Sequence, residues 1–230
     1  MLDFSQFEWL SFDCYGTLID WEKGILGYLQ PLLEKKGRFA TDDDVLTLYS
    51  EFEPRAQAGA YRSYREVLSQ VVRDFGREYR FPVPPADAAA LADSISNWEA
   101  FADTVPALHR LHSRYKLAIL SNIDDDLFAH SARKLEVPFD CVLTAQKLRS
   151  YKPSAENFRA LLRRLGIPNE RLLHVAESLF HDVAPARHLG IPTVWVNRRQ
   201  GRSAAASKLA QVQPDVEVPN LETLADLANS

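Results

Sequence analysis

Four short segments carry residue types that can do chemistry. Asp13-Cys14-Tyr15-Gly16-Thr17 sets an acid ahead of a tight Gly-Thr turn, and Ser121-Asn122 offers a hydroxyl beside an amide. Ser150-Tyr151-Lys152-Pro153 holds a lysine stiffened by the proline after it, and Glu177 to Asp182 (ESLFHD) places two acids five positions apart. Asp13 can present its carboxylate among neighbouring backbone amides, Ser121 and Asn122 can bind substrate oxygens, and Lys152 can neutralise an anion at a fixed place. The paired acids can pin a lysine, activate water or bind a divalent cation. Each segment also has an ordinary structural reading. Asp13 can end a strand and bond its turn, Ser121 and Asn122 can cap a helix, and Lys152 can be a solvated surface charge. At the level of single residues both readings stay open.

Three of the four segments sit where short apolar runs end. Phe7 to Cys14 (FEWLSFDC), Lys116 to Ser121 (KLAILS), Arg171 to Ala176 (RLLHVA) and Thr193 to Asn197 (TVWVN) read as buried strands, with a weaker candidate at Phe139 to Thr144. Amphipathic helical patterns precede the later strands, which indicates crossover units and a mainly parallel sheet covered on both faces. From about Trp21 to Phe101 strand signal is nearly absent. Leu26, Leu29, Leu32 and Leu33 make one apolar face, Val45, Leu46, Leu48, Tyr49 and Phe52 a second, and Tyr64, Val67, Leu68, Val71 and Val72 a third. Phe81-Pro82-Val83-Pro84-Pro85 breaks the pattern before an alanine-rich helix. The expectation is an α/β fold, a Rossmann-like and mainly parallel sheet core built from residues 1–20 and 101–230, with a helical cap domain, residues 21–100, inserted after strand one.

Composition narrows the function classes. The 230 residues carry 27 Lys and Arg against 31 Asp and Glu, a net charge of −4, so no basic field exists for nucleic acid. No window reaches the ~20 apolar residues of a membrane span, and the N-terminus has no basic, apolar leader pattern. Cys14 and Cys141 are far apart without metal or disulfide spacing, and the six histidines form no HExxH pattern. These features point to a cytoplasmic protein with no nucleic acid or membrane partner, in which a small anionic substrate would be drawn by local groups such as Lys152 rather than by global charge. His181, beside Asp182, reads as a surface residue or a pH-sensitive auxiliary.

The order acid, serine, lysine, acids resembles the haloacid dehalogenase superfamily of hydrolases, in which DxxGT follows strand one and is succeeded by a strand-end Ser/Thr, a Lys before Pro and a paired acid region. Phe12 to Leu18, Ile119 to Asn122 and Tyr151 to Pro153 look most like its L-2-haloacid dehalogenase branch. The resemblance implies that Asp13 is the nucleophile, oriented by Thr17. Lys152 would stabilise Asp13 and the substrate's charge, and Asp182 would hold Lys152 and position water. Ser121 and Asn122 would hold a substrate carboxylate. It also leaves a homodimer through cap helices open.

Carbon-halogen and phosphoester chemistry share that nucleophile and separate two residues later. Phosphatases of the superfamily carry a second aspartate there to protonate the departing alkoxide. Tyr15, a phenol with an ordinary pKa of about 10, is a poor acid. Halide leaves without a proton, so Tyr15 favours dehalogenation without a cofactor. Three positions depart from the branch: Glu177 stands where serine is expected, Phe158 replaces a tyrosine, and Asp42 to Tyr49 lacks the cap's halide-binding arginine, leaving Arg55 and Arg62 as substitutes. The alternative is a phosphatase whose Mg²⁺ would be held by Asp13, the Tyr15 carbonyl, Glu177 and Asp182. A third option, a non-catalytic binder of a small anion, has no need of a nucleophile.

Overall fold

The structure, a computed structural model, describes residues 2–198 and 212–229. Its strands are β1 (Trp9–Phe12), β2 (Lys116–Ser121), β3 (Cys141–Thr144), β4 (Leu172–Ala176), β5 (Thr193–Val196) and β6 (Val216–Val218). They form one parallel sheet in the order β3-β2-β1-β4-β5-β6. The chain moves outward to one edge through β2 and β3, then restarts beside β1 with β4. That reversal opens a crevice at the carboxyl ends of β1 and β4, the place where open parallel sheets bind ligands.

Side chains alternate across the sheet. Leu10, Phe12, Leu117, Ile119, Leu173 and Val175 enter one buried cluster, whereas Trp9, Ala118, Leu120 and Leu172 enter the other. Both faces are apolar because helices cover both. β6 had no counterpart in the strand expectations: three residues with an exposed Glu217 at the centre are too short to show a period.

Helices α1 (Trp21–Lys35), α2 (Asp42–Gln57), α3 (Tyr64–Glu78) and α4 (Pro85–Ser94) lie between β1 and β2. Thr41 with Asp44 and Ser63 with Glu66 form capping boxes that fix the starts of α2 and α3. Pro85 opens α4, where its missing N–H is harmless. The buried faces include Ile25, Leu29, Leu32 and Leu33 on α1, Val45, Leu46, Tyr49 and Phe52 on α2, and Tyr64, Val67, Leu68, Val71 and Val72 on α3. Then follow α5 (Thr104–His112), α6 (Asp125–Leu135), α7 (Ala145–Leu148), α8 (Ala155–Leu165), α9 (Ala184–His188) and α10 (Leu221–Asn229). Among the described residues no helix is long and apolar enough to cross a membrane.

Two junctions bear on the site. A proline suits the first turn of a helix, but α8 starts at Ala155 and Pro153 lies in the turn before it. The residue ahead of a proline resists helical backbone, which keeps Lys152 outside the helix. Asp124 precedes α6, yet its carboxylate caps α3 instead, accepting from the backbone amides of Tyr64 (2.9 Å) and Arg65 (3.0 Å). Arg65 also reaches Asp126 at 2.7 Å, and the Tyr151 hydroxyl donates to the Arg62 carbonyl at 2.8 Å. These bonds fasten α3 over the ends of β1 and β2.

Candidate active site

Asp13 is the first residue beyond β1, and its amide still donates to Val175 of β4 at 3.1 Å. The chain then turns sharply at Gly16, whose φ of +97° disfavours any side chain. A Cβ there would also stand 2.9 Å from Trp21 Nε1. The turn returns Thr17 to the acid: its hydroxyl donates to Asp13 Oδ2 at 3.1 Å and accepts from the Glu177 amide at 2.9 Å. One threonine therefore ties the ends of β1 and β4 together. Arg198 braces the same turn, donating to the Thr17 carbonyl at 2.7 and 2.9 Å while paired with Asp103 at 2.9 Å.

Lys152, only 2% exposed, brings its ammonium to 2.8 Å from Asp13 Oδ1, 2.6 Å from Asp182 Oδ1 and 2.9 Å from the Leu120 carbonyl. All three ammonium protons are thereby directed. Asn122 locks the lysine's backbone: its Oδ1 accepts from Lys152 N at 2.7 Å and its Nδ2 donates to Lys152 O at 3.0 Å. The Asn122 side-chain amide, expected to bind a substrate oxygen, is thus occupied in placing Lys152. Asp182 sits in a short π-helical turn after β4, Leu179–Val183, and is also bonded to His174 Nε2 at 3.0 Å. His174 Nδ1 in turn meets Ser11 Oγ at 2.8 Å. A buried hydrogen-bonded chain runs from Ser11 through His174, Asp182 and Lys152 to Asp13.

Electrostatics follow from burial and neighbours. Burial works against the charge of Asp182, but Lys152 and His174 outweigh it and hold the carboxyl below its ordinary range. Burial likewise opposes the Lys152 charge, and the two aspartates keep it protonated. Asp13 is pushed up by burial and by Asp182, with Lys152 pulling back. The Tyr15 phenol is bonded to Ser131 Oγ at 2.9 Å, and burial lifts it well above its usual value. It is a weaker acid in place than in water.

Glu177 is pushed up to about 7, first by burial and then by the charges of Asp13 and Asp182. A carboxyl raised on folding contributes stability below its unfolded value, near 4.5, that is lost as pH climbs through 7. Glu177→Gln is therefore expected to be more stable than wild type at pH 8, by about 1–3 kcal/mol, with the difference fading towards pH 5. Urea midpoints at the two pH values measure it, and a less stable variant at pH 8 would contradict the assignment.

Around these groups lies a cavity of about 490 Å³. Its core side includes Asp13, Tyr15, Ser121, Lys152, Glu177 and Asp182, and Asn122 and His181 also line it. Ser121 Oγ and Asp182 Oδ2 are buried there without a hydrogen-bond partner. Of the two substitute arginines, Arg55 lines the cavity with its side chain 67% exposed and 3.9 Å from Glu51. Arg62 is not part of the lining, and its guanidinium donates to the Ala56 carbonyl. The opposite wall comes from residues the site motifs did not include: Trp21, Tyr49, Glu53, Tyr64 and Trp98. Tyr49 and Glu53 are one helical turn apart on α2, a spacing that in sequence reads as core packing.

The magnesium alternative is tested by the donors themselves. Asp13 and Asp182 direct their Oδ1 atoms at Lys152, and among the described residues no three His, Cys, Asp or Glu side chains converge as a metal cluster. The oxygens left to a magnesium ion are Asp182 Oδ2, buried without a partner, and the Glu177 carboxylate on the cavity wall.

Residues 8–190 match the family model of haloacid dehalogenase-like hydrolases. The (S)-2-haloacid dehalogenase of Pseudomonas sp. (strain YL) is 26% identical over 226 residues, covering 95% of this chain and 93% of that protein. The (S)-2-haloacid dehalogenase 4A of Burkholderia cepacia is 26% identical over 194 residues, 82% of each chain. Among solved structures, the L-2-haloacid dehalogenase from Xanthobacter autotrophicus with chloropropionic acid covalently bound superposes with a TM-score of 0.79 at 19% identity, covering 97% of this chain and 99% of that one. The last likeness shows the fold. The family match spans both the strand that delivers Asp13 and the turn that delivers Asp182, and by it this chain belongs to the haloacid dehalogenase-like hydrolases.

Proposed function

We propose that the protein is a 2-haloacid dehalogenase that converts small 2-haloalkanoates to 2-hydroxyalkanoates through an aspartyl ester. The observation that carries the reading is an acid clamped by Lys152 and Thr17 while the position two residues on, where phosphate chemistry needs a proton donor, holds a phenol tied to Ser131. The full-length similarity to (S)-2-haloacid dehalogenases supports the same conclusion.

In the first step Asp13 forms a C–O bond to the halogen-bearing carbon, and the halide leaves with the C–halogen electron pair. Lys152 and Thr17 fix the carboxylate for in-line attack and keep its charge matched. Ser121 Oγ, buried and unpartnered, supplies a donor for the substrate carboxylate together with nearby backbone amides. In the second step water attacks the carbonyl carbon of the Asp13 ester, the bond from that carbon to the alkoxy oxygen breaks, and the hydroxyacid departs with a proton from the water, whose oxygen stays in the regenerated Asp13 carboxylate. Asp182 keeps Lys152 in place throughout and positions the water. Residues 21–100 act as the cap that closes over the crevice and excludes bulk water. The substrate is a small anion and the working compartment is the cytoplasm, which suits two buried free thiols, Cys14 and Cys141.

Glu177 favours a second reading, a magnesium-dependent phosphatase on a small phosphoester. One paired assay separates them. Chloride release from 2-chloropropionate is expected to persist in EDTA, and an aryl phosphate with magnesium is expected to give no phosphate. Phosphate release alone would overturn the dehalogenase reading.

A further inference from the structure

The cap wall of the cavity holds an acid that displacement at Asp13 does not require. Glu53, on α2, accepts from the Tyr64 hydroxyl at 2.6 Å and from the Tyr49 hydroxyl at 3.4 Å, both at Oε1, and the two phenols lie 3.0 Å apart. Neither phenol engages Oε2. Tyr64 is itself fixed, because its amide is bonded to Asp124 of the core at 2.9 Å. The carboxyl is therefore held in one orientation before any ligand arrives, so little ordering is left for binding to do.

Charge around the cavity is unbalanced. Asp13, Glu53, Glu177 and Asp182 line it, and the buried cation among the lining residues is Lys152, whose three donors go to Asp13, Asp182 and Leu120. Arg55 stands at the exposed rim beside Glu51. Glu53 has no ion-pair partner among the described residues, and burial together with the charge of Asp13 pushes its carboxyl up. A haloacid brings one more negative charge, and a hydroxyl on it would donate a hydrogen bond without neutralising anything. A cation would do both. The wall around Glu53 is aromatic: the Trp21 indole packs 5.6 Å from the Tyr49 ring, and Trp98 lines the same wall. The cavity, about 490 Å³, is also generous for a three-carbon haloacid and falls in the range of larger ligands. Independently, Ser121 Oγ is 3% exposed and unpartnered at the core end, a polar atom that a ligand must complete.

We propose that Glu53, fixed by Tyr49 and Tyr64, is a subsite for a protonated amine, so that the preferred substrate is a haloacid bearing an ammonium group at the end remote from the carbon-halogen bond. The inference rests on the dehalogenase reading only for the reacting end.

Its test is a binding comparison that needs no turnover. Calorimetry in EDTA measures 6-aminohexanoate against hexanoate, equal in length and lacking any halogen. Wild type is expected to bind the amino acid about tenfold tighter or more, as a partly desolvated charge pair allows. In Glu53→Gln the ratio should fall to near one. Equal binding in wild type, a preference for hexanoate, no binding of either acid, or a preference that survives Glu53→Gln would each overturn the subsite. The wild-type comparison alone suffices for this if the variant folds poorly. Halide release from 2-chloropropionate is followed alongside: its absence with the amine preference intact sinks the dehalogenase reading and leaves the subsite, and its presence without that preference does the reverse.

Discussion

Asp13→Asn is expected to abolish halide release, by about 10⁴-fold or more, while leaving the protein folded. The amide keeps the shape and an oxygen for Lys152 but cannot attack carbon. Loss of fold is not expected because Asp13 is a carboxyl that folding pushes up, by burial first and by Asp182 as well. Its ionised form is disfavoured in the native state, so removing the charge at neutral pH lifts a cost. The Tm of the variant should match or exceed that of wild type, within about 1 kcal/mol of lost hydrogen bonding at Thr17. Oxygen tracing completes the test. In a single wild-type turnover in heavy-oxygen water, the new hydroxyl oxygen should be unlabelled, because it comes from Asp13, and the label should appear in Asp13 itself. Labelled product in the first turnover would mean direct attack by water and would remove Asp13 from the role of nucleophile.

How much of this was legible in the sequence depends on how local each signal is. The strands β1, β2, β4 and β5 are short apolar runs flanked by turns, and the residues that follow the ends of β1, β2 and β4, namely Asp13, Asn122 and Glu177, line the cavity. Asp13, Ser121, Lys152 and Asp182 are readable because each belongs to a compact motif at or near such an end. Their convergence requires the sheet order, since Lys152 and Asp13 are 139 positions apart in the chain. His174 was hidden for the opposite reason. It is one polar residue inside an apolar run, and its role appears only when the register sets it beside Ser11 on the neighbouring strand. Tyr49 was counted among the apolar faces of α2, correctly as to burial, but an amphipathic pattern cannot distinguish a ring that fills a core from one whose hydroxyl orients Glu53. Arg198 illustrates the same limit at longer range: nothing in its neighbourhood signals that it braces the Thr17 carbonyl. The arginines chosen by proximity in sequence, Arg55 and Arg62, point to a rim and to a helix-end carbonyl, because position along a cap helix does not fix which side faces the crevice.

Lys152→Met is expected to destabilise the protein by about 3–5 kcal/mol at pH 7 and to suppress turnover by several orders of magnitude, because it removes the one cation shared by two buried carboxylates. Methionine fills much of the volume, so the loss reports charge rather than a cavity. Without Lys152, Asp13 and Asp182 face each other in a dry environment, and both folded pKa values must rise above the unfolded value near 3.9. The variant then binds protons in its folded state that the unfolded chain does not, and its stability grows as pH falls from 7 towards 5. Wild-type Asp182 behaves in the opposite sense: held below its ordinary range, it contributes stability above the unfolded value that is lost on acidification. The gap between wild type and variant should therefore narrow at pH 5, as read from urea midpoints. Adding Asp182→Asn should recover part of the stability at pH 7 without restoring halide release, since the remaining carboxylate has less repulsion but still no counter-ion. A gap that stays constant from pH 7 to pH 5 would show that Lys152 contributes packing alone, and would leave the Asp13 carboxylate without the electrostatic support on which its attack on carbon depends.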